Sequence, residues 1–139
     1  MSATRHAVIP HADARRTVTP AATMTTLASP TQGGAEQPVW RVDMGPGAAG
    51  PTHVIDAQQI WTVLDGAAVV DVDGDSIQIT AGDTVVIPAD AQRRITADHA
   101  GLSAIVVAPA GMRAYAPGVD VSSTCAVPDG DKLVPAWTI

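Results

Sequence analysis

The chain has 139 residues, a net charge of −6 at neutral pH and a pI of about 4.8. Such an acidic chain, with Lys132 as its one lysine, lacks the basic surface that nucleic acids and anionic membranes require. Its apolar share of 46% is that of one globular domain, and its one cysteine, Cys125, cannot form an internal disulfide. No apolar run reaches membrane-spanning length and no secretory-type start is present, so we expect a cytoplasmic protein.

The beginning of the chain shows little periodicity. We expect residues 1–16 to form a flexible N-terminal segment and residues 17–139 to form the folded domain. His6 and His11 have no paired acidic or cysteine ligands beside them, which predicts solvent exposure rather than metal binding. The threonine-rich run from Thr17 to Ser29 is interrupted by a proline, which is typical of an edge strand.

Two stretches, residues 39–44 and 59–64, alternate in the manner of half-buried strands. The residues that share one predicted face are Trp40, Val42 and Met44 in the first stretch and Gln59, Trp61 and Val63 in the second. The Asp65-Gly66 pair that follows predicts a tight hairpin turn, because glycine accepts the positive φ of such a turn.

Five further strand-like runs extend to Ala108, separated by turn residues at positions 73–74, 81–82, 88–91 and 98–101. His99 lies in the last of these separators, and we expect it in a turn. Many short strands without a helical period indicate an all-β sandwich or barrel. The tail, residues 109–139, is rich in loop formers; we expect its apolar end to pack on the body and Tyr115 to lie at the surface.

The spacing of glycine, histidine and proline in two segments resembles that of the cupin superfamily over about residues 40–108. The first segment carries Gly47, His53, Ile55, Gln59 and Gly66, and the second carries Gly82, Pro88, Asp90 and Arg93. The 15 residues between the segments match the short gap of small single-domain cupins, which are common beside bacterial secondary-metabolism genes. The resemblance implies a single-domain jelly-roll barrel, usually a homodimer, with its site in the barrel mouth.

The resemblance also implies a change at the metal site. In metal-binding cupins the four ligand positions carry histidine, histidine, glutamate and histidine; here they are His53, Ile55, Gln59 and Arg93. Ile55 has no donor atom, Gln59 offers a neutral amide, and Arg93 brings a permanent cation to the place of a dication. Asp90 also replaces the glycine of the second motif, and Ala97 its final asparagine. We therefore expect no metal and no other cofactor.

A barrel with this register turns His53, Gln59 and Arg93 toward one interior. A base that titrates near neutral pH, an amide and a fixed cation suit proton transfer next to a carbonyl. We expect these three residues to be catalytic in an isomerase, cyclase or lyase that acts on a small carbonyl-bearing metabolite. The predicted substrate-binding residues are Trp61, Ile55, Val63, Trp40, Ile95 and Met44.

Two other functions remain open from the sequence. The protein could be a non-catalytic module that binds a small molecule. It could also be a metal-dependent dioxygenase or cyclase that recruits an unusual ligand such as Gln58 or Asp56.

Overall fold

The computed structural model describes residues 6–117 and 132–139, which form nine strands and two short 3₁₀-helices. The strands are β1 (Arg15–Val18), β2 (Thr23–Ala28), β3 (Val39–Met44), β4 (His53–Ile55), β5 (Gln59–Val72), β6 (Asp75–Thr80), β7 (Thr84–Ile87), β8 (Gln92–Val107) and β9 (Ala114–Tyr115). The helices are His11–Asp13 and Ala136–Thr138. Within the described ranges, no helix has the length and apolar character that crossing a membrane requires. The expectation of an all-β domain is confirmed.

Strand β8 lies at the centre of one curled antiparallel sheet. Its C-terminal half pairs with β3 on one side and β5 on the other, and its N-terminal half pairs with β4 and again with β5. On one side of the sheet, β3 pairs with β2 and β2 with the edge strand β1; on the other, β4 pairs with the edge strand β9. Strands β7 and β6 pair with the N-terminal and C-terminal halves of β5. The sheet therefore wraps around an interior that β3, β4, β5 and β8 all face.

Both long strands bend where two glycines meet, which corrects the expected turns at Asp65-Gly66 and at residues 98–101. Strand β5 continues through Gly66, which has φ +78° and lies where the register with β8 shifts. Strand β8 likewise continues past His99 and through Gly101, which has φ +79°. The positive φ that indicated a hairpin instead forms a bulge, because each strand has a continuous partner in the other.

The tight hairpin of this region lies eight residues later, at Asp73-Gly74. The two residues have φ of +48° and +89° and connect β5 to β6, whose flanking pair is Val72 with Asp75. Two positive φ values in a two-residue loop are those of a type I′ turn, in which Asp-Gly is a favoured pair.

The single edge strand expected from Thr17 to Ser29 is two strands. Strands β1 and β2 form a hairpin in which Thr17 pairs with Met24, and the turn between them is closed by Thr19, whose backbone N–H donates to the carbonyl of Ala22 at 2.8 Å. Pro20 lies in this turn rather than within a strand. Strand β1, which begins at Arg15, is the edge of the sheet.

The alternation of β3 and β5 is confirmed. Trp40, Val42 and Met44 are buried in β3, and the residues between them are partly exposed. The same pattern holds in β5, where residues 59, 61 and 63 are buried and residues 60 and 62 are partly exposed. The apolar C-terminal end packs on the body, also as expected. The Thr26 hydroxyl donates to the carbonyl of Trp137 at 2.7 Å, and the Ser29 hydroxyl donates to the carbonyl of Ile139 at 2.8 Å. Cys125 lies outside the described residues.

Residue 66 must be glycine for two reasons, its left-handed backbone conformation and the lack of space for a side chain. A Cβ at Gly66 would lie 2.0 Å from the carbonyl oxygen of Gly101, whereas a Cβ at Gly74 would meet no atom within 4 Å. Both glycines have positive φ, so an alanine at either site costs the free energy of a left-handed backbone conformation. Only at Gly66 must the neighbouring backbone also move to make room for the Cβ.

We expect Gly66→Ala to lower the free energy of unfolding by about 3 kcal/mol and Gly74→Ala by about 1 kcal/mol. Urea denaturation of the two variants and the parent protein measures the difference. Equal losses in the two variants would contradict the close contact between the bends.

Candidate active site

An apolar cavity of about 720 Å³ occupies the mouth of the curled sheet. Its wall is drawn from β3, β4, β5, β8 and β9, from the turn between β1 and β2, and from the C-terminal segment, residues 132–139. Such a volume is in the range of sites that enclose a drug-sized molecule. The cavity is therefore the candidate site.

Five of the six predicted substrate-binding residues line this cavity: Trp40, Met44, Ile55, Trp61 and Ile95. The sixth, Val63, faces the same way as Trp61 but is not part of the wall. It is buried in the apolar core two residues further along β5, beside the bend of that strand. The period of the strand correctly indicated the face of Val63, but not where along the strand the open space ends.

His53 lies in the cavity wall with its ring in a defined tautomer. Its Nδ1 lies 2.8 Å from the carbonyl oxygen of Pro51. Since a carbonyl only accepts hydrogen bonds, Nδ1 carries the proton, and Nε2 of the neutral ring keeps its lone pair. Burial lowers the pKa of His53; the bond to Pro51 opposes this effect, and the charge of Arg93 adds to it. The imidazole is therefore a neutral base at pH 7.

Gln59 has an amide whose orientation is dictated by its neighbours. Its Oε1 accepts from Trp61 Nε1 at 3.1 Å and from Arg93 Nη1 at 3.3 Å, and its Nε2 donates to Met112 Sδ at 3.3 Å. Indole and guanidinium groups are donors only, so the amide oxygen must face them. The second N–H of Gln59 has no hydrogen-bond partner among the described residues.

Arg93 is a buried cation held entirely by protein acceptors. Only 1% of the residue is exposed; Nη2 donates to the carbonyl of Pro88 at 2.9 Å and Nε to the carbonyl of Ala91 at 3.2 Å, beside the bond to Gln59. Burial lowers the pKa of Arg93 to about 10, so the charge persists at pH 7.

Arg93 is the cross-strand partner of His53, so both side chains leave the sheet on the same face. Arg93 is nevertheless absent from the residues that line the cavity among those the structure describes. This differs from the direct ligand contact expected for Arg93, because each of its three nitrogens is committed to the protein. The guanidinium contacts Gln59, and Gln59 lines the cavity.

Tyr115 was expected at the surface and is instead buried in the cavity wall, because β9 pairs with β4. Its hydroxyl donates to Asp90 Oδ1 at 3.0 Å, and burial together with the Asp90 carboxylate raises the pKa of Tyr115 to about 12. Asp90 stands at the glycine position of the second motif with φ +65°, a conformation that aspartate tolerates better than most residues.

Trp137 is another wall residue that the sequence did not single out. It enters from the C-terminal segment, and it lies 76 residues or more along the chain from the cavity-lining residues of β3, β4 and β5. The available signal was compositional: Trp40, Trp61, Trp137 and Tyr115 are the full aromatic set of the chain.

The side chains at the four family ligand positions do not fit a metal ion. Ile55 offers no donor, the amide oxygen of Gln59 is occupied by two donors, and Arg93 holds a positive charge beside His53. Asp56 is also engaged, since its carboxylate accepts from the backbone N–H of Arg113 at 2.6 Å and from its Nε at 3.1 Å. In residues 6–117 and 132–139, no three histidine, cysteine, aspartate or glutamate side chains form a metal-binding group.

Comparisons with known proteins agree with this fold. The model of the cupin domain family matches residues 40–108. The polyketide cyclase RemF from Streptomyces resistomycificus has a similar structure, with a TM-score of 0.68 and 16% identity over 78% of this chain and 82% of that one. No curated protein sequence matches the chain.

Two further solved structures are each similar to this chain, with 20% identity and a TM-score of 0.63. One is an RmlC-like cupin from Shewanella frigidimarina, with 75% of this chain and 91% of that one covered. The other is KdgF from Halomonas sp., with 76% and 94% covered. At these identities the likeness extends to the fold alone. With its matching domain model and its jelly-roll relatives, the chain belongs to the cupin family as a small protein with a single cupin domain.

Proposed function

We propose that this cupin is a metal-independent enzyme that transfers a proton on a small carbonyl-bearing metabolite, as an isomerase, cyclase or lyase. The observation that carries the proposal is His53: a neutral imidazole, fixed by Pro51 through Nδ1, with its basic Nε2 in an apolar cavity. The structural likeness to a polyketide cyclase supports this class of reaction at the level of the fold.

The proposed step needs only groups that the cavity holds. Nε2 of His53 takes a proton from the carbon next to the carbonyl, and the C–H electron pair moves into a carbon–carbon double bond, which places negative charge on the carbonyl oxygen. The remaining N–H of Gln59 is the donor for that oxygen. The imidazolium then returns the proton to another carbon, or to the alkoxide formed when the enolate attacks a second carbonyl. No oxidant or reductant is required.

Arg93 supports this step indirectly. It holds the oxygen of Gln59 away from the reacting atoms, which leaves an N–H for the substrate. Its positive charge, on the strand facing His53, disfavours the protonated imidazole and so keeps the base ready. Arg93 is thus a positioning residue in the proposal.

A non-catalytic binding module is the alternative that a specific observation favours. The polar groups of the wall are largely committed within the protein, since the Tyr115 hydroxyl bonds to Asp90 and the Gln59 oxygen to Trp61 and Arg93. His53 decides between the two functions, because a binding module does not need its lone pair. The homodimer also stays a prediction, which light scattering on the purified protein tests.

We expect His53→Ala to lower the enzyme-dependent exchange of the α-protons of 2-tetralone with D₂O by about 100-fold or more, because the base is lost. Proton NMR follows the exchange without knowledge of the natural substrate. His99→Ala is the matched control, since His99 is exposed on β8 and does not line the cavity. This variant should catalyse the exchange at the rate of the parent protein. Undiminished exchange in His53→Ala, or a stoichiometric transition metal in protein purified without an affinity tag, would contradict the proposal.

The pH dependence of the same exchange follows from the lowered pKa of His53. The active form is the neutral imidazole, so the enzyme-dependent rate should fall on the acid side with a midpoint below the ordinary value of 6.5, and stay level from there through neutral pH. A rate profile from pH 4.5 to 8, with the buffer-catalysed rate subtracted, measures this midpoint. A midpoint above 6.5 would mean that burial and Arg93 do not control the base.

We expect Arg93→Met to raise the pKa of His53, because the neighbouring positive charge is removed. We also expect it to lower the free energy of unfolding by about 3 kcal/mol, because the carbonyls of Pro88 and Ala91 lose their side-chain donor and Gln59 loses one of two donors. Histidine titration by NMR and urea denaturation measure the two effects. Arg94→Met is the control: Arg94 is adjacent and equally charged but exposed, and its loss should cost at most about 0.5 kcal/mol. Equal His53 pKa values in the two variants would contradict the coupling.

A further inference from the structure

The aromatic side chains of this protein are concentrated at one place. The sequence has three tryptophans, one tyrosine and no phenylalanine, and all four aromatic residues, Trp40, Trp61, Trp137 and Tyr115, line the cavity. The buried core beyond the wall is aliphatic. Its fully enclosed members include Val63, Val70, Ile87 and Val106, which are not part of the wall. Aromatic surface is thus present where a ligand would contact it and absent where packing alone is needed.

The other bulky wall residues are three methionines and the aliphatic side chains of Val42, Ile55, Ile95 and Leu133. Met24, Met44 and Met112 all line the cavity. Thioether sulfur is polarizable and makes favourable contacts with aromatic rings. A wall of indole rings and thioethers therefore offers more to a conjugated π system than to a saturated one of equal size.

The wall also discriminates by charge. Among the described residues that line the cavity, none is an arginine, lysine, aspartate or glutamate, and the lowered pKa of His53 keeps that ring neutral. A carboxylate, phosphate or polyhydroxylated sugar would lose its water here without gaining enough partners. Among the described side chains of the wall, the polar atoms that a ligand could meet include Nε2 of His53, one N–H of Gln59 and the indole N–H groups of Trp40 and Trp137.

We propose that the ligand of this cavity is an uncharged, flat molecule with fused aromatic rings and a carbonyl group on one edge. The rings lie against Trp40, Trp61 and Trp137, and the carbonyl edge meets His53 and Gln59. The position of the carbonyl rests on the proposed function, whereas the preference for flat, uncharged rings rests on the wall alone. The cavity of about 720 Å³ encloses a molecule of that kind.

Three probes with a common skeleton test the proposal: 2-acetonaphthone, its saturated counterpart 2-acetyldecalin, and the anion 2-naphthoate. Calorimetric titration of the intact protein should show the strongest binding for 2-acetonaphthone. We expect 2-acetyldecalin to bind about tenfold more weakly, since it lacks the ring contacts, and 2-naphthoate about 100-fold more weakly, since its charge must be buried. Equal affinity of the flat and the saturated ketone, or tighter binding of the anion, would overturn the inference.

Substitutions at Trp137 test whether the probes bind against the aromatic wall of this cavity. Its backbone carbonyl, not its side chain, anchors the C-terminal segment to Thr26, so the segment keeps that bond in variants. Trp137→Leu should weaken the binding of 2-acetonaphthone about fivefold and leave the binding of 2-acetyldecalin nearly unchanged. Trp137→Phe should restore most of the affinity for 2-acetonaphthone. Val86→Ala, on an exposed strand position, is the control and should bind as the parent does. A parallel loss for both ketones in Trp137→Leu would mean that size rather than aromatic contact governs binding.

The same titration separates this inference from the proposed reaction. Titration of 2-acetonaphthone and proton exchange are both measured on the parent protein, because the rings supply the affinity and the imidazole supplies the exchange. Selective binding of the flat ketone together with the absence of proton exchange would uphold the ligand class and refute the proton-transfer function. Proton exchange with no preference between the flat and the saturated ketone would do the reverse.

Discussion

The buried guanidinium of Arg93 is the interaction on which the arrangement of the site depends. A guanidinium that is 1% exposed needs an acceptor within the protein for each of its nitrogens. Here the carbonyls of Pro88 and Ala91 and the side-chain oxygen of Gln59 are those acceptors. Because the guanidinium is a donor at every position, it dictates that the amide of Gln59 presents oxygen inward and nitrogen elsewhere. The orientation of Gln59 in turn positions the indole of Trp61, whose N–H shares the same oxygen.

The same cation explains the state of His53. The imidazole lies opposite Arg93 on the paired strand and is largely buried, and both conditions disfavour a second positive charge. The hydrogen bond from Nδ1 to Pro51 then selects which nitrogen is basic. A neutral, oriented base thus follows from burial, from one fixed charge and from one backbone carbonyl.

The family membership sets the fold, and the substitutions within it set the chemistry. Jelly-roll barrels host many activities, so the activity has to be argued from the side chains in the mouth. In this protein three of the four positions that carry metal ligands in metal-binding cupins instead carry an apolar residue, an amide bonded within the protein and a cation. Around them lies an apolar wall in which tryptophan, methionine and tyrosine side chains stand beside aliphatic ones. The proposed proton transfer and the proposed uncharged ligand both follow from these side chains.

The sequence by itself determined the features that depend on local pattern. Alternation along β3 and β5 identified which face of each strand is buried, and motif spacing identified the cupin domain and the positions of His53, Gln59 and Arg93. Tertiary structure decided what local pattern does not contain. Asp65-Gly66 has the residues of a hairpin turn, but its strand has a continuous partner in β8, so the positive φ became a bend. Tyr115 and Trp137 reach the cavity through chain segments far away in sequence, and whether Arg93 contacts a ligand or Gln59 depends on which acceptors surround it. Periodicity describes neighbours along the chain, whereas cavity walls and hydrogen-bond partners are set by neighbours in space.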